Sequence, residues 1–221
     1  MQRSMGFAIL AVLALAGSPA FGQSVLFDFE SGGDQGWGGG FGDDASEAFP
    51  IVNIGGSNRL SVLRDGGFQE AGRSSGNVAE PFFIALNAAS ANEAGYILSY
   101  DWYVNTAPGN YGTFLQLGTY ANTGSGYYAQ DFPDTGKDVD LTDVQLASGQ
   151  VFSGTVSETF AAKGFDLPTA QTFLRIGLIV NGNGAATVYF DNVRISPVPE
   201  PASIGMLCVA GMALLRFRRR S

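Results

Sequence analysis

The side chains that could carry chemistry in this 221-residue chain are carboxylates and aromatic rings. The sequence contains no histidine, and its single cysteine is Cys208. Histidine-dependent triads, zinc sites with histidine ligands and internal disulfides are therefore excluded. What remains for binding a ligand is 20 acidic residues, eight tyrosines and two tryptophans. Carboxylates ligate cations and accept hydrogen bonds from hydroxyl groups, and aromatic faces pack on apolar ring faces.

Asp101 and Tyr103 are the strongest candidates for a binding surface. The segment 96–104 alternates with the two-residue period of a strand, which places these two side chains on one face. The other face is apolar and is predicted to face the core; it consists of Leu98, Tyr100, Trp102 and Val104. If a groove lies beside Asp101 and Tyr103, we expect it to bind sugar, because a tyrosine stacks on a sugar ring while a carboxylate accepts from the hydroxyls. Three tyrosines of adjoining loops complete the candidate set: Tyr111, Tyr127 and Tyr128. The alternative is that these tyrosines only decorate a glycine-rich surface.

Two other groups of acidic residues could be a catalytic pair and a cation site, but the sequence favours neither role. Asp28 and Glu30 would lie about 6.7 Å apart on one face of a strand, which is permissive for an inverting glycosidase. Such pairs are common on edge strands, so we expect a protein that is not an enzyme. Five aspartates also fall within 13 residues, and their spacing does not match an EF-hand. We interpret this second cluster as a solvated acidic loop; its members are Asp131, Asp134, Asp138, Asp140 and Asp143.

The elements that must position these residues are predicted to be strands. The chain has 31 glycines and nine prolines, and only 14% of its residues are charged, which favours short strands joined by turns. Nine strand-like runs are separated by turn residues: 24–30, 49–54, 58–64, 80–86, 96–104, 113–118, 155–160, 172–180 and 187–195. With no convincing helix and a loop-rich stretch at 120–150, the prediction is an all-β fold, a two-sheet antiparallel β-sandwich.

The charge of the central part limits its partners. Residues 23–196 contain seven basic residues against 19 acidic ones, a formal charge of about −12. A charge of this sign repels phosphate backbones and anionic lipids. Nucleic acid is therefore not an expected partner, while divalent cations are compatible.

The first and last predicted strands have distinctive patterns. The first alternates so that Val25, Phe27 and Phe29 face inward while Asp28 and Glu30 share the other face. In the last strand, the apolar residues change phase between Phe190 and Val193. This slip predicts a β-bulge near Asp191–Asn192.

These edge motifs resemble those of jelly-roll carbohydrate-binding modules with a galactose-binding-like fold. The motifs are Phe-Asp-Phe-Glu at 27–30, Gly-Trp at 36–37 and Tyr-Phe-Asp-Asn-Val at 189–193. The resemblance implies a jelly roll whose first and last strands lie side by side, with a structural calcium ion often held where they meet. Glu30 and Asp191 occupy the matching positions. Calcium takes six to eight oxygen ligands, so backbone carbonyls and water would have to complete the shell. The alternative is two solvated acids at a strand end and its bulge.

Residues 1–22 have the pattern of a cleavable signal peptide. Arg3 forms a short basic region, an apolar run follows from 6 to 16, and small residues precede the end of the segment. Cleavage after Gly22 leaves Gln23 first, and cleavage after Ala20 is the competing choice. Signal peptidase is therefore an expected processing partner.

Residues 197–221 carry a second targeting pattern. Pro199, Glu200 and Pro201 are followed by an apolar span at 204–215 and by four arginines: Arg216, Arg218, Arg219 and Arg220. This order resembles the PEP-CTERM sorting signal, also catalogued as the C-terminal domain of ice-binding-type proteins. In that family an exosortase, a membrane transpeptidase, is thought to process the tail. A helix over 204–217 would be about 21 Å long against a hydrocarbon core of about 30 Å, so the predicted transmembrane helix is short. The arginines would hold its end in the cytoplasm. An ordinary tail anchor is the alternative.

The sequence thus predicts an exported cell-surface or matrix protein. Its domain organisation is a signal peptide at 1–22, a β-sandwich at 23–196 and a sorting signal at 197–221, by which the chain contacts the membrane before processing. We expect the β-sandwich to bind extracellular polysaccharide, with calcium as its only cofactor. Two alternatives stay open at this point: a structural or adhesive matrix protein without a discrete ligand, and a glycan-active enzyme.

Overall fold

Alternating apolar residues build two antiparallel sheets that pack on a shared core. The computed structural model describes residues 22–39, 49–64, 67–107, 111–123, 126–129 and 137–199. Gln23–Val198 form one compact unit. Every strand pairing in both sheets is antiparallel. The predicted fold class, a two-sheet β-sandwich, is confirmed.

Each sheet has six strands among the described residues. Sheet A consists of β1 (Val25–Phe27), β3 (Ile51–Ile54), β4 (Ser57–Arg64), β6 (Tyr96–Asn105), β10 (Val151–Thr159) and β12 (Ala186–Pro197). Its order is β10-β6-β12-β4-β3, and β1 also pairs with β12. Sheet B consists of β2 (Trp37–Gly38), β5 (Phe68–Ser75), β7 (Phe114–Thr123), β8 (Gly126–Ala129), β9 (Lys137–Thr142) and β11 (Leu174–Gly182). Its order is β2-β5-β11-β7-β8, and β9 also pairs with β7.

The predicted bulge in the last strand is present. Asp191 of β12 pairs with Asp101 of β6, but the next pair is Arg194 with Ser99, so β12 contains one extra residue. Asn192 adopts a left-handed backbone conformation with φ of 50°. The bulge lets Phe190 and Val193 both point into the core, as the phase change in the sequence predicted.

The first strand lies beside the last, as the resemblance implied. Val25 pairs with Ile195 and Phe27 with Val193. The strand ends at Phe27, however, because Phe29 has a positive φ of 54°. Phe29 is still fully buried and its ring meets that of Trp37 edge-on. The prediction that Asp28 and Glu30 share one strand face is therefore wrong, since the chain turns between them.

One predicted strand is a helix. Of the run predicted at 80–86, residues 81–86 belong to α1 (Pro81–Ala91), which begins at a proline whose fixed φ suits the first helical turn. Its buried residues recur with helical spacing at Phe82, Leu86 and Ala89. The aromatic start of this segment favoured a strand, whereas the alanine-rich continuation favours the helix.

The stretch 120–150 is more ordered than the loop-rich connection predicted for it. It contains the end of β7, then β8 and β9, and the four-residue helix α2 (Asp143–Leu146). Thr142 N–H donates to Gln145 Oε1 at 3.0 Å at the start of α2. The Asp138 side chain is only 1% exposed in a salt bridge with Lys163. The interpretation of this region as a solvated acidic loop is therefore wrong for Asp138, while Asp131 and Asp134 lie outside the described residues.

The targeting predictions fall almost entirely outside the described residues. Of segment 1–22 only Gly22 is described, and of the sorting motif only Pro199, which is exposed. Glu200, Pro201, the apolar span and the four arginines are not described. In the ranges given above, no helix has the length and apolar character needed to span a membrane.

Candidate functional site

The outer face of sheet A carries a groove of about 470 Å³. Side chains of β10, β6, β12 and β4 line it, because neighbouring strands place their paired residues on the same face. Asp101 of β6 lies between Thr155 and Asp191, and Tyr103 lies between Ser153 and Tyr189. The two sugar-binding candidates of the central strand thus lie in one groove.

Two tyrosines and an arginine form the aromatic part of the groove. The rings of Tyr103 and Tyr189 meet edge-on, with centroids 5.9 Å apart. The Arg59 guanidinium carbon lies 4.9 Å from the centroid of Tyr103, a cation–π contact that restricts the ring. Arg59 Nε is buried and has no hydrogen-bond acceptor within the described residues. The groove therefore combines partly exposed aromatic rings with an unused hydrogen-bond donor.

Asp101 is held in place by two neighbours. Thr155 Oγ1 donates to Asp101 Oδ1 at 2.5 Å, and Asn192 Nδ2 donates to Oδ2 at 2.8 Å. Asn192 can reach Asp101 because the bulge in β12 places it beside that strand pair. The bulge therefore has a positioning role: it fixes a carboxylate in the groove next to Tyr103.

The two residues predicted to ligate calcium are brought together at the end of the groove. Ser57 Oγ lies 2.6 Å from Asp191 Oδ2 and 3.0 Å from Glu30 Oε1. The backbone N–H of Asn58 also donates to Glu30 Oε1, and that of Asn192 donates to Asp191 Oδ1. Glu30 and Asp191 thus share one hydroxyl, which can donate its single proton to only one of them at a time.

Burial raises the pKa of Asp191 above its ordinary value of 3.8. The negative charge of Glu30 adds to the rise, whereas the hydrogen bonds from Ser57 and from the Asn192 N–H, and the positive charge of Arg59, oppose it. Asp191 is only 5% exposed. Two acids so close, one of them buried, form a site that a proton or a cation would stabilise.

Glu30, Asp191 and Ser57 supply only some of the oxygen ligands that a calcium ion needs. Two carboxylates and one hydroxyl are fewer oxygen groups than the six to eight ligands that calcium takes. Across the described part of the chain, no group of three or more His, Cys, Asp or Glu side chains is arranged to hold a metal ion. Any calcium bound here would need backbone carbonyls and water for the rest of its shell.

Three other predicted tyrosines do not join the groove. Tyr111 is 6% exposed, and its hydroxyl donates to the backbone carbonyl of Asn105. Burial raises the pKa of Tyr111, with a smaller contribution from Tyr189. Predicting Tyr111 as a ligand contact was therefore wrong, because its ring packs with the core. Tyr127 and Tyr128 belong to β8 of sheet B rather than to a loop beside the groove.

Trp102 is less buried than its position on the apolar face predicted. It packs against the core, yet it remains partly exposed. The residue paired with it on β10 is Gly154, where an added Cβ would lie only 3.0 Å from Trp102 Nε1. Because β10 is at the end of the strand order and offers only this glycine, one side of the ring stays uncovered.

The proposed glycosidase pair is not arranged as the strand pattern suggested. Asp28 Oδ1 accepts from Gln35 Nε2 at 3.2 Å, whereas Glu30 accepts from Ser57 and Asn58. The positive φ of Phe29 separates the two side chains into different surroundings. The strand geometry that suggested Asp28 and Glu30 as a glycosidase pair is therefore absent.

The sequence pattern did not identify Arg59, Tyr189 and Asn192 as groove residues. Tyr189 was detectable as an outward residue of the last strand, two positions from Asp191. For Arg59, the sequence showed only that a positively charged residue lies within the predicted strand 58–64. Their meeting with Tyr103 depends on the order of the strands in sheet A, which no local pattern encodes.

Comparisons with known proteins give structural neighbours only. No protein-family model matches the chain, and no curated protein matches it. A carbohydrate-binding module specific for non-crystalline cellulose is 13% identical, with a TM-score of 0.49, over 77% of this chain and 93% of that one. A xylan-binding domain from Paenibacillus barcinonensis is 14% identical, with a TM-score of 0.43; the match covers 80% of this chain and 94% of that domain. A module that recognises mannan is 16% identical, with a TM-score of 0.44, over 80% and 99%.

Proposed function

We propose that the β-sandwich binds a glycan chain in the groove of sheet A. The observation that carries this proposal is the meeting of Tyr103 and Tyr189 with the unused Arg59 Nε donor and the fixed Asp101 carboxylate. A sugar ring has an apolar face for the tyrosines and hydroxyls that both accept and donate hydrogen bonds. The Arg59 guanidinium and the Asp101 carboxylate would supply a donor and an acceptor for these hydroxyls.

Charge favours a neutral glycan over an acidic one. Arg59 lies beside two carboxylates, Asp101 and Asp191, so the groove has no excess of positive charge. The domain as a whole has 19 acidic residues against seven basic ones between 23 and 196. An anionic polysaccharide would be repelled by this field. We therefore propose a neutral extracellular polysaccharide as the ligand class.

Export and sorting are a second part of the proposal. The basic and apolar pattern of residues 1–22 supports removal by signal peptidase. Pro199, Glu200 and Pro201 with the arginine-ended span support processing by an exosortase at the membrane. In this account the domain is presented at the cell envelope or surface, where polysaccharide is available.

Calcium is proposed as a structural ion at Glu30 and Asp191. The closeness of their carboxylates, which share the Ser57 hydroxyl, supports the proposal. When bound, the ion would neutralise two neighbouring negative charges and join β12 to the turn after β1. The chain supplies only part of the shell, so we expect weak and exchangeable binding.

A glycan array probed with the purified protein tests the proposal. We expect binding to neutral polysaccharides and a loss of about 2 kcal/mol, roughly 30-fold in affinity, for Tyr103→Ala. Phe173→Ala is the matched control, because Phe173 is an exposed aromatic residue outside the groove. Absence of binding to every glycan would favour a matrix protein without a discrete ligand. Shortened glycan products would favour the enzyme alternative instead.

A further inference from the structure

Lys163 and Asp138 form an ion pair that is sealed from solvent. Their side chains are 0% and 1% exposed, and Lys163 Nζ lies 2.7 Å from Asp138 Oδ1. Asp138 belongs to β9 of sheet B, while Lys163 lies in the turn that follows β10 of sheet A. The pair therefore connects elements of the two sheets. It lies apart from the groove, whose lining includes neither residue.

Two further groups complete a reactive arrangement around this pair. The Tyr100 hydroxyl donates to Asp138 Oδ2 at 2.7 Å. Burial, followed by the charge of Asp138 and its hydrogen bond, raises the pKa of Tyr100 well above 10, so the phenol stays a donor. Glu158 Oε2 lies 3.8 Å from Lys163 Nζ on the other side of the pair, and its side chain is 46% exposed. Phe160 and Phe165, which lie on either side of Lys163 in the chain, are buried with ring centroids 5.4 Å apart.

Stability alone does not account for such a pair. Removing two charges from water costs several kcal/mol per ion, and apolar residues of similar volume commonly serve as well. The domain has no disulfide to strengthen it, since the only cysteine is Cys208. A buried amine in contact with a buried carboxyl group, next to a second acid, has what is needed to form a covalent amide.

We propose that Lys163 and Asp138 condense into an intramolecular isopeptide bond. A proton first passes from Nζ to Oδ1 along the 2.7 Å hydrogen bond, which removes both buried charges. The Nζ lone pair then attacks Cγ of Asp138, and the Tyr100 hydroxyl stabilises the charge that develops on Oδ2. Glu158 accepts a second proton from Nζ and returns it to Oδ1. The Cγ–Oδ1 bond breaks, one water molecule leaves, and Oδ2 remains as the amide oxygen.

The reaction balances without any added reagent. An ammonium group and a carboxylate give a neutral amide and water, with no change of oxidation state. The bond would join β9 to the turn after β10 and close a loop across the sandwich. Such a link suits a protein exposed to proteases and mechanical load, and it does not depend on glycan binding.

Peptide mass analysis of the full-length protein tests the proposal directly. No lysine or arginine lies between Lys137 and Lys163, and the next is Arg175. Trypsin cannot cleave at an acylated lysine, so we expect one peptide, 138–175, lighter than its sequence by one water. Glu158 is the only glutamate in 138–175, and cleavage after it should leave the two halves joined. A free 138–163 peptide of unmodified mass as the main product overturns the proposal.

Variants assign the roles of the participating residues. Lys163→Arg should restore the sequence mass, whereas Asp138→Asn should lose ammonia and give the same cross-linked mass as the wild type. Glu158→Gln changes a half-exposed side chain, so the fold should persist while bond formation slows by about 100-fold. An unchanged rate in Glu158→Gln overturns its role in proton transfer. Lys137 and Asp140 provide an internal control, since they lie 2.6 Å apart at the surface and should stay unlinked.

Discussion

Replacing Arg175 by methionine tests how much a buried ion pair of sheet B contributes to the stability of the fold. Arg175 Nε and Nη2 donate to Glu70 Oε1 at 2.9 and 2.6 Å, and Nε also lies 3.0 Å from the Tyr120 hydroxyl. Glu70 and Tyr120 are fully buried. The cluster lies on the face of sheet B that points away from the shared core, because Leu174 and Ile176 point into that core. Arg175→Met removes the cation that pairs with the buried Glu70 carboxylate.

The expected loss of stability follows from this burial. Breaking a buried ion pair by removing one partner costs about 3–5 kcal/mol. Domains of this size lose roughly 2–4 °C in melting temperature for each kcal/mol, so we expect a fall of roughly 6–20 °C. The double variant Glu70→Met with Arg175→Met removes both charges and should recover most of the loss. Gly72 must remain, because a side chain there would collide with both Arg175 and Glu70.

Urea unfolding and thermal melting measure this effect. The control is Lys137→Met, which removes the exposed ion pair with Asp140 and should cost about 0–1 kcal/mol. If Arg175→Met proved no more costly than Lys137→Met, the cluster would not be a buried ion pair. If the double variant were as unstable as the single one, the loss would come from packing rather than from an uncompensated charge.

Three further predictions concern the acidic site and the tail. Burial raises the folded-state pKa of Asp191, so its protonation stabilises the fold at low pH and this contribution is lost as the pH rises through the folded-state pKa. The stability of the wild type relative to Asp191→Asn, measured by urea unfolding, should therefore increase as the pH falls from 7 towards 4, and a constant difference would contradict this. Excess chelator should lower the melting temperature if calcium is bound. A calcium concentration 100 times the dissociation constant would stabilise the fold by about 2.7 kcal/mol. An unchanged melting curve, with no metal found by elemental analysis, would exclude the ion. Mass spectrometry of the mature surface protein should find no peptide from Met206 to Arg219, and intact tails in cells that contain an exosortase would indicate a plain tail anchor.

Local patterns in the sequence were sufficient for the strands that have one apolar face. The alternation in β6 predicted its position, and the phase change in β12 predicted the bulge after Asp191. Such patterns can be read locally, because successive side chains of a strand point to opposite faces and only one face is buried. They were not sufficient for β5, which has buried polar residues such as Gln69 and Glu70, or for α1, whose aromatic start resembles a strand.

The candidate site was predictable only in part for a related reason. Asp101 and Tyr103 were found because they share one face of a single strand. Arg59 and Tyr189 come from β4 and β12, and they meet Tyr103 through pairings between residues distant in sequence. The buried pair of Lys163 with Asp138 was also missed, because an acidic run in sequence gives no sign that one of its members turns inward to meet a lysine.

Chemical-shift mapping during a glycan titration tests the central claim most directly. A neutral oligosaccharide that binds the protein should shift the resonances of Asp101, Tyr103 and Tyr189, together with the Arg59 Nε–H signal. Resonances of sheet B, including Tyr127 and Tyr128, should stay in place. Binding that shifts sheet B and leaves the groove of sheet A unchanged would contradict the account.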